Sequence, residues 1–180
     1  MKLVISGSAG IGKTILAKRL SEKTGIRLIP DYIDTVLRER GLDSPKEMSE
    51  SKVAISVRLE ALSRKIKNEN KEKCFISDKG VIDYLAYWLI NTSHLASYSE
   101  NQEFYSKVCK HTKTLGGKYI ILLFGKYNIK GNRRRSVDYF HQFKVHALIK
   151  GVYQEFGIEY IEYDYQFNKP IEQVLIELGF

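Results

Sequence analysis

The sequence predicts a three-layer α/β/α fold, in which a mainly parallel sheet of five strands lies between layers of helices. Segments with the pattern of strands alternate with helical segments along the whole chain, which is typical of a parallel sheet flanked by helices. The segment Tyr119–Phe124 is continuously apolar, as expected of a strand buried on both faces. A length of 180 residues with 43% hydrophobic residues suits a single domain over residues 1–180.

The first element is a short buried strand predicted at Lys2–Ile5, and a glycine-rich loop follows it. The loop fits the pattern G-x-x-x-x-G-K-[ST], the phosphate-binding loop of nucleoside-triphosphate enzymes. Its residues are Gly7, Ser8, Ala9, Gly10, Ile11, Gly12, Lys13 and Thr14. A helix predicted at Ile15–Lys23 completes the strand–loop–helix context that the motif requires.

This loop predicts ATP and Mg²⁺ as ligands. Its glycines let backbone N–H groups turn toward an anion, and the helix N-terminus adds its dipole and its unpaired donors. Lys13 would reach the β- and γ-phosphates, and the Thr14 hydroxyl would ligate Mg²⁺.

The second strand is predicted at Arg27–Ile29, and Asp31 lies at its carboxyl end. Ligands of open α/β sheets bind outside the carboxyl ends of the strands, so Asp31 is placed to meet a substrate. It is equally suited to cap the N-terminus of a helix predicted at Tyr32–Arg40. Both interpretations stay open.

The third strand is predicted at Phe75–Ser77 and ends at Asp78. A carboxylate at a strand tip beside a phosphate loop can hold Mg²⁺ through water or receive a proton from an attacking hydroxyl. The alternative is a cap for the helix predicted at Gly80–Asn91. The phosphate loop upstream favours a functional Asp78, so Thr14 and Asp78 are the predicted metal ligands.

A basic segment, residues 125–136, follows the strand Tyr119–Phe124. We call it the lid segment; its cations are Lys126, Lys130, Arg133, Arg134 and Arg135. A glycine-flanked basic segment over a phosphate site can close on a triphosphate, and its guanidiniums can neutralise charge on the transferring group. A solvated basic loop and a nucleic-acid contact are the alternatives.

The other elements follow from periodicity and from start and stop signals. A capping box at Ser44–Glu47 predicts a long helix over about Lys46–Asn70, whose Arg58 and Arg64 are expected to be solvated. Further helices are predicted at Glu100–His111, at Val137–Phe156 and from Asn168–Pro170 to Leu178, and a last strand at Ile158–Tyr163. His94 and His111 are expected at the surface, and Cys74 in the core.

The composition limits the classes of ligand and the cellular compartment that are expected. The formal charge of +8 favours anionic ligands, which are phosphorylated small molecules or nucleic acid. No apolar run approaches the length of a membrane span, and no signal peptide precedes the first strand, so a cytoplasmic protein without a membrane partner is expected. The two cysteines indicate neither a metal site nor a disulfide framework.

Together these segments resemble the P-loop kinases of nucleosides and nucleotides. More narrowly, they resemble the small ATPase/kinase family that includes the ribosylnicotinamide kinase domain. The resemblance covers essentially the whole chain in element order, and the phosphate loop is its most specific part. It implies that Asp31 matches the acidic residue after the second strand, which contacts the substrate hydroxyl or serves as base. It also implies that the segment Asp164–Lys169 borders the adenine.

Two further matches carry the resemblance. Asp78-Lys79 stands where such kinases carry an Asp-Arg or Glu-Arg pair, although lysine cannot make the bidentate contact of arginine. Arg133, Arg134 and Arg135 stand in the place of the lid arginines. The resemblance assigns catalysis to Lys13, Asp78 and Asp31 and to the lid residues Arg134 and Arg135, and nucleotide binding to the loop together with Arg133.

The implied reaction is transfer of the γ-phosphoryl of ATP to a small acceptor, a nucleoside or nucleotide first. A P-loop ATPase that switches a protein or nucleic-acid partner is one alternative. Hydrolytic relatives commonly carry a glutamate beside the strand-end aspartate, and Lys79 at that position disfavours this class. A polynucleotide 5′-hydroxyl kinase is the other alternative. Nucleic acid is possible but not favoured, because the basic residues are spread along helices as well as the lid segment.

Overall fold

Five parallel strands form the centre of the fold in the order β2-β3-β1-β4-β5. The computed structural model describes residues 1–42, 52–124 and 138–179. The strands are β1 (Lys2–Ser6), β2 (Leu28–Ile29), β3 (Phe75–Asp78), β4 (Lys118–Leu122) and β5 (Ile161–Tyr163). The helices are α1 (Lys13–Thr24), α2 (Ile33–Glu39), α3 (Lys52–Lys71), α4 (Val81–Asn91), α5 (Tyr98–Leu115), α6 (Tyr139–Glu155) and α7 (Ile171–Glu177).

Strand β1 lies in the middle of the sheet, between β3 and β4. Its residue Ile5 is in register with Asp78 of β3 and with Ile120 of β4. Because all pairs are parallel, the carboxyl ends of β1, β2 and β3 meet at one edge of the sheet. The loop after β1 and the residues after β2 and β3 are therefore neighbours in space.

Side chains that alternate along the strands divide the core into two parts, one on each face of the sheet. Val4 and Tyr119 pack with α2 to α6 on one face. Leu3, Ile5 and Ile120 pack with α1 and α7 on the other. This period of two is what a strand covered by helices on both faces requires. The predicted three-layer α/β/α class with a five-stranded parallel sheet is confirmed.

The predicted helices and strands are present, with shifts at their ends. Helix α5 begins earlier than predicted, because Ser97 and Glu100 form a capping box: the Ser97 Oγ accepts from the Glu100 amide and the Glu100 carboxylate accepts from the Ser97 amide. It also ends later than predicted, at Leu115, where Gly116 adopts the left-handed conformation that terminates helices. The predicted capping box at Ser44–Glu47 and the lid segment lie outside the described residues.

A fully buried polar network ties the carboxyl ends of β2 and β3 to α3. The Lys65 Nζ donates to the carbonyl oxygens of Ile29, Pro30 and Asp78 at 3.2, 3.0 and 2.9 Å. It also lies 3.8 Å from the carboxylate of Glu69. Lys65 therefore holds together the two strand ends that carry the acidic residues.

The same network corrects the expectation for His111. Instead of lying at the surface, His111 is buried and its Nε2 lies 2.6 Å from Glu69 Oε2, while the Ser77 hydroxyl donates to Glu69 Oε1 at 2.5 Å. Burial raises the pKa of Glu69, but the hydrogen bond from His111, the Lys65 charge and the Ser77 bond outweigh it and lower that pKa. Helix α5 is long enough to carry His111 against α3, and the buried carboxylate supplies its partner.

Replacing Lys65 with alanine is expected to destabilise the fold by about 3 kcal/mol or more, because it leaves a carboxylate and three carbonyl groups buried without their cation. Lys67→Ala is the matched control, because Lys67 lies two residues further along helix α3 with its side chain in solvent; the expected change is within about 0.5 kcal/mol. Urea unfolding measures both. Equal stability of the two variants would contradict the role given to Lys65.

Two other expectations are wrong. Cys74 is exposed rather than buried, because it lies in the turn before β3, where its Sγ is 2.8 Å from the N-terminal amine. Arg58 is 7% exposed instead of solvated, because it lies on the buried face of α3 together with Ala61 and Leu62. Arg64 does lie at the surface, in ion pairs with Glu39 and Glu60.

None of the helices in the described part of the chain combines the length and the apolar character that crossing a membrane requires.

Candidate active site

The glycine-rich loop joins β1 to α1 and requires glycine for its shape. Gly7, Gly10 and Gly12 have φ angles of 141°, 83° and 99°, a region that L side chains rarely adopt. A Cβ on Gly7 would lie 2.4 Å from the Ile11 side chain, which is buried and fixes the loop to the core. The loop is therefore held in one conformation by its own sequence.

Helix α1 begins at this loop without a side-chain cap. Its N-cap is Gly12, no side chain accepts from its first amides, and its first turn carries no acidic residue. The dipole and the unpaired N–H groups at this end therefore favour an anion supplied from outside the helix. The Thr14 side chain is exposed in this first turn.

The Lys13 ammonium is buried within the loop. Its Nζ donates to the carbonyl oxygens of Gly7 and Ser8 at 2.7 and 2.5 Å. Burial lowers the pKa of Lys13, and the charges of Asp83 and Asp78 act against that shift. The loop thus holds a cation beside two carboxylates.

Asp83, on α4, fixes the start of the loop. Its Oδ1 accepts a hydrogen bond from the Gly7 amide at 2.9 Å, and its Oδ2 is buried without a hydrogen-bond partner among the described residues. Burial raises the pKa of Asp83, although the Lys13 charge opposes this. The Gly7 amide of the loop is therefore already hydrogen-bonded to a protein carboxylate.

Asp31 and Lys79 form an ion pair between the ends of β2 and β3. The Lys79 Nζ lies 2.8 Å from Asp31 Oδ2, and Asp31 Oδ1 accepts from the Tyr84 hydroxyl at 2.7 Å and from the Ile33 amide at 3.1 Å. Burial raises the pKa of Asp31, but Lys79 and these hydrogen bonds outweigh it and bring that pKa to about 2. Asp31 therefore binds the first amide of α2 from the position before the N-cap residue, Tyr32, and also belongs to the charged cluster.

Lys79 has a left-handed backbone, with φ at 68°. Such a conformation is unfavourable by about 1–2 kcal/mol for a residue with a Cβ and persists only where its surroundings impose it. Here the Lys79 amide donates to the Ile5 carbonyl oxygen at 3.0 Å, and its Nζ lies 4.7 Å from the centre of the Tyr87 ring. The turn thus directs the ammonium to Asp31.

Another edge of the loop is covered by the segment after β5. A Cβ on Gly12 would lie 2.7 Å from the Phe167 ring, so this aromatic ring packs against the start of α1. Arg19 of α1 holds the segment by donating to the Tyr165 hydroxyl at 2.9 Å and to the carbonyl oxygens of Phe167 and Lys169 at 3.1 and 2.8 Å. The segment Asp164–Lys169 therefore lies beside the loop.

A family model described as an AAA domain matches residues 2–167 of this chain. The chain belongs to this AAA domain family. A search among curated proteins found no significant match for it.

Several solved structures, two of them of kinases, share the fold of this AAA domain. The NadR protein in complex with NR has a TM-score of 0.67 at 16% identity, over 99% of this chain and 52% of NadR, so the chain spans about half of that protein. The deoxyadenosine kinase of M. mycoides with bound dATP has a TM-score of 0.65 at 12% identity, over the full length of both chains. The shikimate kinase of Aquifex aeolicus has a TM-score of 0.57 at 16% identity, over 99% and 94% of the two chains. The fold is thus that of the P-loop nucleoside and nucleotide kinases.

The residues predicted for the site of the AAA domain fall into two groups. The described ones, Gly7 to Thr14, Asp31 and Asp78, lie along one sheet edge, and the charges of Asp78 and Asp31 both act on Lys13. The lid residues Arg133, Arg134 and Arg135 lie outside the described residues. Their predicted roles, like those of the others, remain predictions.

Sequence reasoning missed three residues of this cluster in the AAA domain: Asp83, Tyr84 and Lys65. Asp83 carried a signal, since it is a lone carboxylate within the apolar start of α4. A charge at such a position is rarely left buried without a purpose. Lys65 and Tyr84 carried none, because lysine and tyrosine are ordinary residues on an amphipathic helix.

The residues present fit a nucleotide with Mg²⁺. Within the described ranges, no three His, Cys, Asp or Glu side chains converge as a metal site made by protein alone. Mg²⁺ in nucleotide enzymes is held by one or two protein oxygens and by phosphates, and the Thr14 hydroxyl and the Asp78 carboxylate offer two such oxygens. The uncapped N-terminus of α1 offers the phosphates their donors.

The pair of Asp31 and Lys79 should make stability depend on pH. A carboxylate whose pKa is lowered by folding stabilises the fold above its unfolded pKa near 4, and the effect is lost as the pH falls toward about 2. The shift corresponds to about 2 kcal/mol at pH 7. We expect Asp31→Asn to be less stable than the wild type by this amount at pH 7 in urea unfolding, and the difference to shrink at pH 2.5. The exposed Asp34→Asn is the control, and a difference that does not change with pH would contradict the pairing.

Proposed function

We propose that this AAA domain is a phosphotransferase that moves the γ-phosphoryl group of Mg²⁺–ATP onto a small acceptor, a nucleoside or nucleotide before other classes. One observation carries the proposal: parallel pairing of β1 with β3 sets Asp78 directly beside the glycine-rich loop that contains Lys13. A phosphate cradle and a carboxylate at adjacent strand ends are the two parts that phosphoryl transfer to a hydroxyl requires.

The loop and α1 would hold the donor. Backbone amides of Gly10 to Lys13 and the Lys13 ammonium would bind the β- and γ-phosphates. Thr14 would hold the metal directly and Asp78 would hold it through a water molecule, which leaves the Asp78 carboxylate able to accept a proton. Mg²⁺, when bound, neutralises charge on the phosphates. Phe167 and the segment that Arg19 fixes would border the adenine, on the side of the loop away from Lys79.

Asp78 and Asp31 would have different roles toward the acceptor. An acceptor oxygen attacks the γ-phosphorus, the bond from this phosphorus to the β–γ bridging oxygen breaks, ADP leaves, and the acceptor proton passes to a carboxylate. Asp31 is a weak base, because Lys79 and Tyr84 already bind its oxygens and its pKa is about 2. We therefore assign the proton to Asp78 and the orientation of the acceptor hydroxyl to Asp31.

The lid segment would supply the remaining positive charge. Arg134 and Arg135 are proposed to stabilise the transferring group, and Arg133 to bind the nucleotide, as lid arginines do in the kinases that the sequence resembles. These three residues lie outside the described residues, so their assignment depends on the resemblance.

A nucleotide-dependent switch is the second candidate, and membership of the AAA domain family favours it. Such a protein would hydrolyse ATP without a small acceptor while acting on a protein or nucleic-acid partner. Lys79, paired to Asp31, stands where hydrolytic relatives commonly carry a glutamate that activates water. The chain lacks that base at this position, which is why the phosphotransferase is preferred.

A panel of acceptors separates the two candidates. ADP release is measured with Mg²⁺–ATP alone and with added nucleosides, nucleoside monophosphates, ribosylnicotinamide, shikimate or a 5′-hydroxyl oligonucleotide. The phosphotransferase predicts release that rises at least tenfold with one small acceptor and remains low without any. Steady release that none of them stimulates would contradict the proposal and favour the switch.

A further inference from the structure

Arg58 of α3 is a buried cation without a partner. It is 7% exposed, its Nε is inaccessible to solvent, and its guanidinium makes no hydrogen bond or ion pair with any described residue. Arg64, six residues further along the same helix, pairs with Glu39 and Glu60. Buried guanidinium groups are normally paired, because removing an unpaired charge from water is strongly unfavourable.

Arg58 lies about two turns before Lys65 on the buried face of α3, and Lys65 contacts the carbonyl oxygens of Pro30 and Asp78 at the ends of β2 and β3. Arg58 therefore lies at the Asp31 side of the site. The charges that act on it are those of Tyr87 and Asp31, and they only partly offset burial, which lowers the pKa of Arg58 to about 10. Asp31 does not neutralise it, since Lys79 is 2.8 Å from that carboxylate.

A second polar group without a firm partner lies near Asp31, because the Lys79 Nζ that pairs with Asp31 is 4.7 Å from the centre of the Tyr87 ring. The Tyr87 hydroxyl is buried and makes no well-formed hydrogen bond, while the backbone amide of Ala9, in the glycine-rich loop, is close enough to affect its pKa. Burial raises the pKa of Tyr87 to about 12, so this hydroxyl stays a donor at neutral pH. Two buried donors, one of them charged, thus lie on the Asp31 side of the site.

We propose that Arg58, assisted by Tyr87, binds an anionic group of the acceptor. The acceptor is then a small molecule that carries a phosphate monoester or a carboxylate besides the oxygen that receives the phosphoryl group, and a neutral nucleoside is excluded. A planar guanidinium fork matches the two oxygens of either anion. The inference rests on the proposed function, since it takes the Asp31 side of the site to be the acceptor side.

The first test is stability without ligand. An unpaired buried guanidinium contributes nothing to the fold, so Arg58→Met should melt at the wild-type temperature or above it. Arg64→Met, which removes a partly exposed, ion-paired arginine from the same helix, is the matched control. A melting temperature of Arg58→Met several degrees below both proteins would show a structural role for Arg58 and overturn the proposal.

The second test is binding to protein whose loop is filled with Mg²⁺ and a non-hydrolysable ATP analogue. Calorimetry compares pairs of probes that differ in one anion: AMP with adenosine, CMP with cytidine, and shikimate with its methyl ester. At least one anionic probe should bind ten times more tightly than its neutral partner. Arg58→Met should reduce this preference for the anionic probe at least tenfold, and Arg58→Lys should reduce it by less. Arg64→Met should leave the preference unchanged. Comparison of the two phosphate pairs with the shikimate pair shows whether the site binds a phosphate monoester or a carboxylate.

Three outcomes overturn the inference: no anionic probe binds, both members of each pair bind equally, or Arg58→Met weakens the ATP analogue as much as the probe. Phosphoryl transfer to a neutral nucleoside would also overturn it, while the proposed function would stand. An anionic probe could also bind in a way that depends on Arg58 while no acceptor receives phosphate from ATP. That result would contradict the proposed function, and the inferred anion site would stand.

Discussion

Lys13→Ala is expected to lower the rate of phosphoryl transfer at saturating ATP by about 100- to 1,000-fold, the effect of removing a preorganised charge that faces the transition state. The Lys13 ammonium is already buried at the loop, bound to the carbonyl oxygens of Gly7 and Ser8. It therefore needs little rearrangement to turn toward a phosphate. Low local dielectric makes its charge worth more than that of a surface lysine.

The matched control for this variant is Lys18→Ala, because Lys18 is exposed on the same helix α1. Transfer is measured as acceptor-dependent ADP release, and ATP affinity as binding of a fluorescent ATP analogue. We expect Lys18→Ala to behave as the wild type in both. A Lys13→Ala protein with unchanged affinity and unchanged rate, and with the wild-type circular dichroism spectrum, would reject the role of the loop.

Asp78→Asn is expected to lower kcat by about 100- to 10,000-fold, the usual contribution of a general base. Asparagine keeps the size of the side chain but neither accepts a proton nor attracts Mg²⁺. The Mg²⁺ concentration that gives half the maximal rate should therefore rise as well. Asp78 lies at the end of β3, where Lys65 and the pairing with β1 fix its backbone, so the substitution should leave the strand in place.

The comparison that decides the base is Asp31→Asn. Since Asp31 is bound to Lys79 and Tyr84, its loss should mainly raise the KM of the acceptor and affect kcat less than Asp78→Asn does. Asp34→Asn serves as a control with an exposed side chain at the start of α2. If Asp31→Asn lost more of kcat than Asp78→Asn, the base and the orienting residue would have to be exchanged.

The architecture could be predicted from the sequence because it depends on local patterns. The apolar run of β4, the glycine that ends α1 and the loop after β1 each specify their own conformation. Where an element was misjudged, a local signal had been overlooked: Ser97 and Glu100 have the spacing of a capping box, which starts α5 at Tyr98 rather than Glu100.

Only part of the site could be predicted from the sequence. The phosphate loop is a contiguous motif, and the carboxylates at strand ends follow from the parallel order of the sheet. The network around them does not follow, because it joins side chains that are distant in sequence: Lys65 with the ends of β2 and β3, and Asp83 with Gly7. Arg58 on α3 looked like a solvated arginine, since periodicity alone does not tell a buried charge from an exposed one.

The fate of the γ-phosphate tests the central claim most directly. ATP labelled with ³²P at the γ position is incubated with Mg²⁺, the protein and the acceptor panel, and the products are separated. The account predicts that the label appears in one acceptor at the rate of ADP release, and that Lys13→Ala abolishes this transfer. Label recovered only as inorganic phosphate, at a rate that no acceptor changes, would contradict it.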